Sequence, residues 1–242
     1  MGLLESMMEK LGYPYQVLPE KSSMDEVMAI YKEAVEKGKK EGFTPVIVPE
    51  DDVLDDYFGI LKQEDGFDVQ DTLQNIGNGG RELLQQNLKE LTGPEEDDLE
   101  ALDLNELMGE IGNGESIDGF YSLQGFYDDG KQVVLLEVPT DKPWEVVVYV
   151  PFGGWNECPA PDDMAAICKY WYEKYMAVPA VITHDTLEFI LPEPISKDEA
   201  MEVAQEHYAF CNDRLDQCTQ SGTLGEVADS LWQSKIWFFW WD

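Results

Sequence analysis

The chain has 242 residues, 50 of them acidic against 16 basic, for a formal net charge of −34. A field of that sign repels phosphate backbones and anionic lipid headgroups, which excludes nucleic acid and membrane surfaces as partners and makes a basic protein the natural complement. Hydrophobic residues make up 43% of the chain, as in a globular protein, yet no apolar run is long enough to span a membrane.

The opening residues read as an amphipathic helix through Leu3, Leu4, Met7, Met8 and Leu11. Glu5 and Glu9 interrupt its apolar positions, so it lacks the form of a secretory signal, and a cytoplasmic protein with Cys158, Cys168, Cys211 and Cys218 reduced is expected. Ser23 and Glu26 form a capping box for a second helix carrying Val27, Ile30, Tyr31, Ala34 and Val35, closed by Gly38 and Gly42. A strand at 44–48 comes next, then helices at 51–61 and 81–91 separated by the glycines of 77–80. Residues 1–93 thus form a mainly helical N-terminal region.

Residues 94–118 carry ten carboxylates and neither Lys nor Arg. They read as an acidic linker, or as a docking segment through Leu99, Leu102, Leu104, Leu107, Met108 and Ile111. From 119 to 242 the pattern is that of an α+β domain. Residues 120–127 and 133–138 around Asp129-Gly130 read as a hairpin, and 144–150 as a third strand. A helix from Pro161 presents Met164, Ile167, Cys168, Trp171 and Tyr175, and a second hairpin turns at His184-Asp185. Two further helices start at Ser196 and Thr223, each followed three residues later by Glu. The closing run Ile236-Trp237-Phe238-Phe239-Trp240-Trp241 is apolar at every position, which predicts a fully buried, central strand. The fold class is therefore α+β: a mixed, largely antiparallel sheet covered by helices.

Several blocks in the C-terminal half carry a specific resemblance: Phe152-Gly153-Gly154-Trp155-Asn156-Glu157-Cys158-Pro159, Tyr170-Trp171-Tyr172-Glu173-Lys174-Tyr175, Thr186-Leu187-Glu188, Glu206-His207-Tyr208-Ala209-Phe210-Cys211, and Trp237-Phe238-Phe239-Trp240-Trp241-Asp242. From about residue 133 to 242 the chain resembles the bacterial family catalogued as domain of unknown function 4253. The resemblance implies kinship and no chemistry.

The loop Asn156-Glu157-Cys158-Pro159 stands between a predicted strand and a helix, where α+β proteins commonly build sites. One reading makes Cys158 a nucleophile with Glu157 beside it and His184 or His207 as its base, in a hydrolase or transferase. The plainer reading makes Cys158 a buried apolar thiol before a rigid turn. His207 and Cys211 leave one helical face and with Cys158 would hold a metal, although that face is also the apolar stripe of a core helix. His184, in a hairpin turn, reads as an exposed and idle imidazole. Asp162-Asp163 and Asp51-Asp52 fall at helix starts, where the helix dipole favours negative charge.

Weighed together, these features favour a non-catalytic acidic binding protein that docks a basic protein partner, as an immunity- or inhibitor-type protein does. Its binding residues would be Trp155, Asn156, Glu157, Asp162 and Asp163, with Trp155 as the aromatic anchor. No cofactor is expected, and the oligomeric state is left open.

Overall fold

The computed structural model describes residues 2–63, 67–93, 104–114 and 116–242. Strands β1 (Tyr15–Val17), β2 (Thr44–Pro49), β3 (Val133–Val138), β4 (Val178–Ile182), β5 (Thr186–Ile190) and β6 (Ile236–Trp240) form one open sheet in the order β1-β3-β2-β4-β5-β6. Neighbours are antiparallel except β2 and β4, which run parallel with Ile47 opposite Val181. A strand from the N-terminal region therefore lies between two from the C-terminal half.

The helices among the described residues are α1 (Leu3–Leu11), α2 (Met24–Glu41), α3 (Asp52–Gln63), α4 (Val69–Asn75), α5 (Gly80–Thr92), α6 (Leu104–Leu107), α7 (Ser122–Asp128), α8 (Val146–Tyr149), α9 (Pro161–Tyr175), α10 (Lys197–Phe210), α11 (Asp213–Asp216) and α12 (Leu224–Leu231). Because side chains alternate along a strand, the sheet feeds two cores. Ile47, Val133, Leu135, Val181 and Ile236 meet α2 and α7 on one face. Val46, Val48, Leu136, Phe189, Trp237 and Phe239 meet α1, α3, α5, α8, α9, α10 and α12 on the other. Strand β2 is buried at all six positions, as its run without alternation requires.

Of the three caps read from the sequence, those at Ser23 and Thr223 form, whereas Ser196 accepts no backbone N–H and its hydroxyl donates to Glu199 instead. Ser23 accepts from the Glu26 N–H while Glu26 accepts from the Ser23 N–H, and Thr223 accepts from the Glu226 N–H. Helix α2 runs straight through Gly38, where any Cβ would sit 2.3 Å from the Phe43 carbonyl oxygen, and stops at left-handed Gly42. Of the acidic segment, residues 94–103 and 115 lie outside the described residues. Its described remainder runs along α12: the Gly225 N–H donates to the Met108 carbonyl at 2.6 Å and the Gly114 N–H to Asp229 at 2.6 Å.

Three expectations are corrected. Residues 120–127 are not the first arm of a hairpin: Phe120, Leu123 and Tyr127 are buried at helical spacing in and before α7, and Asp129-Gly130 ends that helix. Residues 144–150 are a short 3-10 turn (Pro143–Glu145) followed by α8. Val146, Val147 and Val148 are fully buried, so packing on all sides overrides the strand preference of three β-branched residues. Finally, β6 is the last strand of the sheet and, among the described residues, pairs only with β5. Trp237 and Phe239 enter the larger core, while Phe238 and Trp240 on the other face are half-buried. Aromatic packing, rather than a central position, explains the uninterrupted apolar run.

Among the described residues no helix is long and apolar enough to cross a membrane.

Candidate functional site

The loop 151–160 joins α8 to α9 and owes its shape to three left-handed residues, Gly153, Gly154 and Asn156. Gly153 is obligatory, since at φ 99° any Cβ would lie 2.1 Å from the Pro159 carbonyl oxygen. The loop folds back on itself, with the Gly154 N–H donating to that carbonyl at 2.9 Å. The Tyr57 hydroxyl donates to the Gly153 carbonyl at 2.6 Å and ties the loop to α3. Asn156 donates its side-chain amide to the Asp242 carbonyl at 2.5 Å. Trp155 packs edge-on against Phe152 at 4.9 Å and near Trp241 at 6.2 Å.

A recess opens on each side of this loop. The first is an apolar cleft of about 210 Å³ between α3, the loop and the β4–β5 turn. Helix α3 contributes Val53, Leu54, Asp56, Tyr57 and Ile60; the loop contributes Phe152, Gly153 and Trp155; the turn contributes His184. Val53 and Ile60 are each 52% exposed, an apolar stripe on α3 with no covering element among the described residues. The second recess, about 350 Å³, is a polar groove. It is lined by Asn87 and Glu90 of α5, Glu157 and Pro159 of the loop, Asp163 of α9, and Tyr208, Phe210 and Asn212 at the end of α10.

His184 is not idle. Its Nδ1 lies 2.5 Å from Asp51 Oδ2 and its Nε2 lies 3.4 Å from Asp185 Oδ2. The Asp51 contact, followed by the charge of Asp185, raises the imidazole pKa and favours the imidazolium. Burial alone would push the Asp51 carboxyl up, but His184 and the N–H groups of Val53 and Leu54 outweigh it and hold it below its ordinary range. Asp51 thus both caps α3 and grips the turn. Asp185 is fixed in turn by the Trp240 indole N–H at 2.8 Å and by the Thr183 hydroxyl at 2.9 Å.

Because the folded-state imidazole pKa is raised, His184 contributes stability fully present below its ordinary value near 6.5, and that contribution is lost as pH rises through the raised value. The stability margin of the wild type over His184→Ala, measured by denaturant unfolding, is therefore expected to be largest on the acid side of neutrality and to shrink towards alkaline pH.

The other predicted residues are not brought together. Cys158 is buried, and burial, with Cys211 and Cys168 nearby, pushes its thiol far above the ordinary range, so it is held protonated. Among the described residues no hydrogen bond joins it to either imidazole. His207 is fully buried against Phe239 at 4.5 Å, Trp237 at 4.7 Å and Trp171 at 5.5 Å. Neither of its ring nitrogens has a partner among the described residues, and burial followed by the Arg214 charge keeps it neutral. Cys211 donates its thiol to the Trp240 carbonyl at 3.0 Å.

Cys158, His207 and Cys211 consequently do not form a ligand set, and among the described residues no three His, Cys, Asp or Glu side chains could hold a metal ion. The helical spacing of His207 and Cys211 is real but serves the core. Of the residues expected to bind, Trp155 lines the apolar cleft, Glu157 and Asp163 line the polar groove, Asn156 anchors the loop, and Asp162 sits in the first turn of α9 without lining either recess. Sequence reasoning did not find the contributions of Tyr57, Asn87 and Tyr208, and it read Asp51 only as a cap.

Fold and site together define the class: an α+β protein with an open mixed sheet and two shallow recesses flanking one rigid loop. Residues 134–242 match the model of the family described as domain of unknown function (DUF4253). No curated protein and no solved structure matches the chain. The matched span holds the loop, α9, α10 and the β4–β5 turn, whereas α3 and α5, which wall the two recesses from the other side, lie outside it.

Proposed function

We propose that this is a non-catalytic acidic binding protein that docks a basic protein partner in the manner of an immunity- or inhibitor-type protein. The observation that carries the reading is an uncovered apolar cleft on a chain of net charge −34. Val53, Ile60 and Trp155 offer an area worth burying, and exposed Asp56 at the same cleft adds a carboxylate with no ion-pair partner among the described residues. Such a surface combines a desolvated anchor with a field that speeds approach of a cationic protein and rejects anionic ones. Both arginines are occupied, Arg81 with Glu202 and Arg214 buried beside Ser230, so neither offsets that field locally. A cytoplasmic setting, where four unpaired thiols persist, belongs to the same reading.

A Cys/His-dependent hydrolase or transferase gains no comparable support. A protonated, buried thiol is a poor nucleophile, the ring nitrogens of His207 have no partner among the described residues, and His184 is engaged by Asp51 and Asp185 and not by a thiol.

The test is affinity capture from a lysate with identification of what is retained, run at about 50 mM and about 500 mM salt. A basic protein held at low salt, released at high salt and not held by the Val53→Asp, Ile60→Asp variant at either is expected. Retention of nothing basic by the wild type at low salt would overturn the reading.

A further inference from the structure

We infer that the two recesses act as one bipartite site for an extended basic segment, an apolar side chain entering the cleft under Trp155 and an arginine side chain entering the groove of Glu90, Glu157 and Asp163. The inference rests on the binding reading and assigns its chemistry.

The groove is built for a cation. Among the described residues Glu157 and Asp163 have neither a hydrogen-bond nor an ion-pair partner, and no Lys or Arg lines the groove. Tyr208 fronts the same groove; it is 1% exposed, and its hydroxyl has no hydrogen-bond partner among the described residues. That hydroxyl is free to accept a hydrogen bond from a donor in the groove. Asn87 commits only its amide, donating to the Ala209 carbonyl at 3.2 Å, which leaves its side-chain oxygen to accept. Burial, then the neighbouring Asp162, raises the pKa of Asp163, the crowding that a bound cation relieves. A planar guanidinium suits walls that alternate carboxylates with the rings of Tyr208 and Phe210 better than a compact ammonium does.

One loop lies between the two recesses. Gly153 and Trp155 line the cleft while Glu157 and Pro159 line the groove, so a short stretch of loop, folded back on itself, separates the two. Same-side side chains of an extended peptide recur every two residues, about 7 Å apart, so peptides with an apolar residue two to four positions from an arginine sample the separations to be tested.

The probes are synthetic peptides carrying one Arg and one Leu two, three or four residues apart, with citrulline versions as neutral isosteres, titrated into the full chain and followed by NMR. At one spacing the Trp155 indole and Asn87 amide signals should move together with a single dissociation constant. Citrulline for Arg, or Glu157→Gln with Asp163→Asn in the protein, should weaken binding at least about tenfold. Tyr208→Phe, which keeps the ring, should weaken the Arg peptide. Equal binding of Arg and citrulline peptides, or movement of one recess alone at every spacing, overturns the inference. If those results come from a protein that still captures a basic partner at low salt, only the bipartite geometry fails; if capture fails as well, the binding reading falls with it.

Discussion

Trp171→Ala is expected to cost about 4–5 kcal/mol of stability, near the upper end for a truncated core aromatic. The indole is fully buried, stacks on Phe239 at 5.5 Å and 9°, and meets Phe210 at 4.9 Å, Trp237 at 5.5 Å and Phe189 at 5.6 Å. It also donates its N–H to Glu206 Oε2 at 2.9 Å, so removal leaves a cavity and strips a partner from a buried carboxylate. Trp171→Phe, which keeps most of the packing, should lose about 1–3 kcal/mol. Denaturant unfolding followed by far-UV circular dichroism measures both. Equal losses would mean that the hydrogen bond, not the aromatic packing, holds α9 to the sheet.

Glu188→Gln is expected to stabilise the protein increasingly as pH rises. Glu188 lies on β5, fully buried, facing the smaller core, where it accepts from the Ser122 hydroxyl at 2.7 Å. Burial raises its carboxyl to about 7, against which the bonds from Ser122 and the Tyr121 backbone act in part. The native state therefore holds this proton more tightly than the unfolded chain, and wild-type stability falls as pH climbs from the ordinary glutamate range through about 7. The amide variant has no charge to bury. The difference between the two unfolding free energies should be constant below about pH 4 and grow by about 3–4 kcal/mol by about pH 8.5. Parallel curves across that range would show that the Glu188 carboxylate is already ionised and accommodated in the native protein. Working with the difference also cancels the self-repulsion of a chain this acidic.

The same residues show how much is legible in the sequence. The capping box at Ser23, the cap at Thr223, the His184-Asp185 hairpin and the stripe of α9 are local signals, and each appears where its spacing places it. Helices α7 and α8 look like strands in the sequence because aromatic and β-branched runs prefer strands in isolation, whereas here burial on several sides decides. The edge position of β6 is hidden because a strand's place in a sheet depends on partners distant in sequence. For the site, the importance of the 151–160 loop is readable from its glycines, Trp155 and Cys158. Its neighbours are not. Asp51 meets His184 across 133 positions and Tyr57 meets the loop across 96, contacts that no spacing rule reveals.

The 94–118 segment illustrates the same limit from another side. Its carboxylates suggest a linker, but the described part from Leu104 onward is held by α12 and by Lys197, which donates to the Gly112 carbonyl at 2.7 Å. A run of charge records solvent exposure of side chains and says little about where the backbone docks.

In the proposed function, an acidic surface and an uncovered cleft act together on a cationic protein. Stopped-flow association of the purified chain with the partner it captures, repeated from about 50 mM to about 500 mM salt, tests this most directly. The association rate should fall at least about tenfold over that range, and the Val53→Asp, Ile60→Asp variant should dissociate faster at every salt concentration. An association rate indifferent to salt, or a variant that binds as the wild type does, would contradict it.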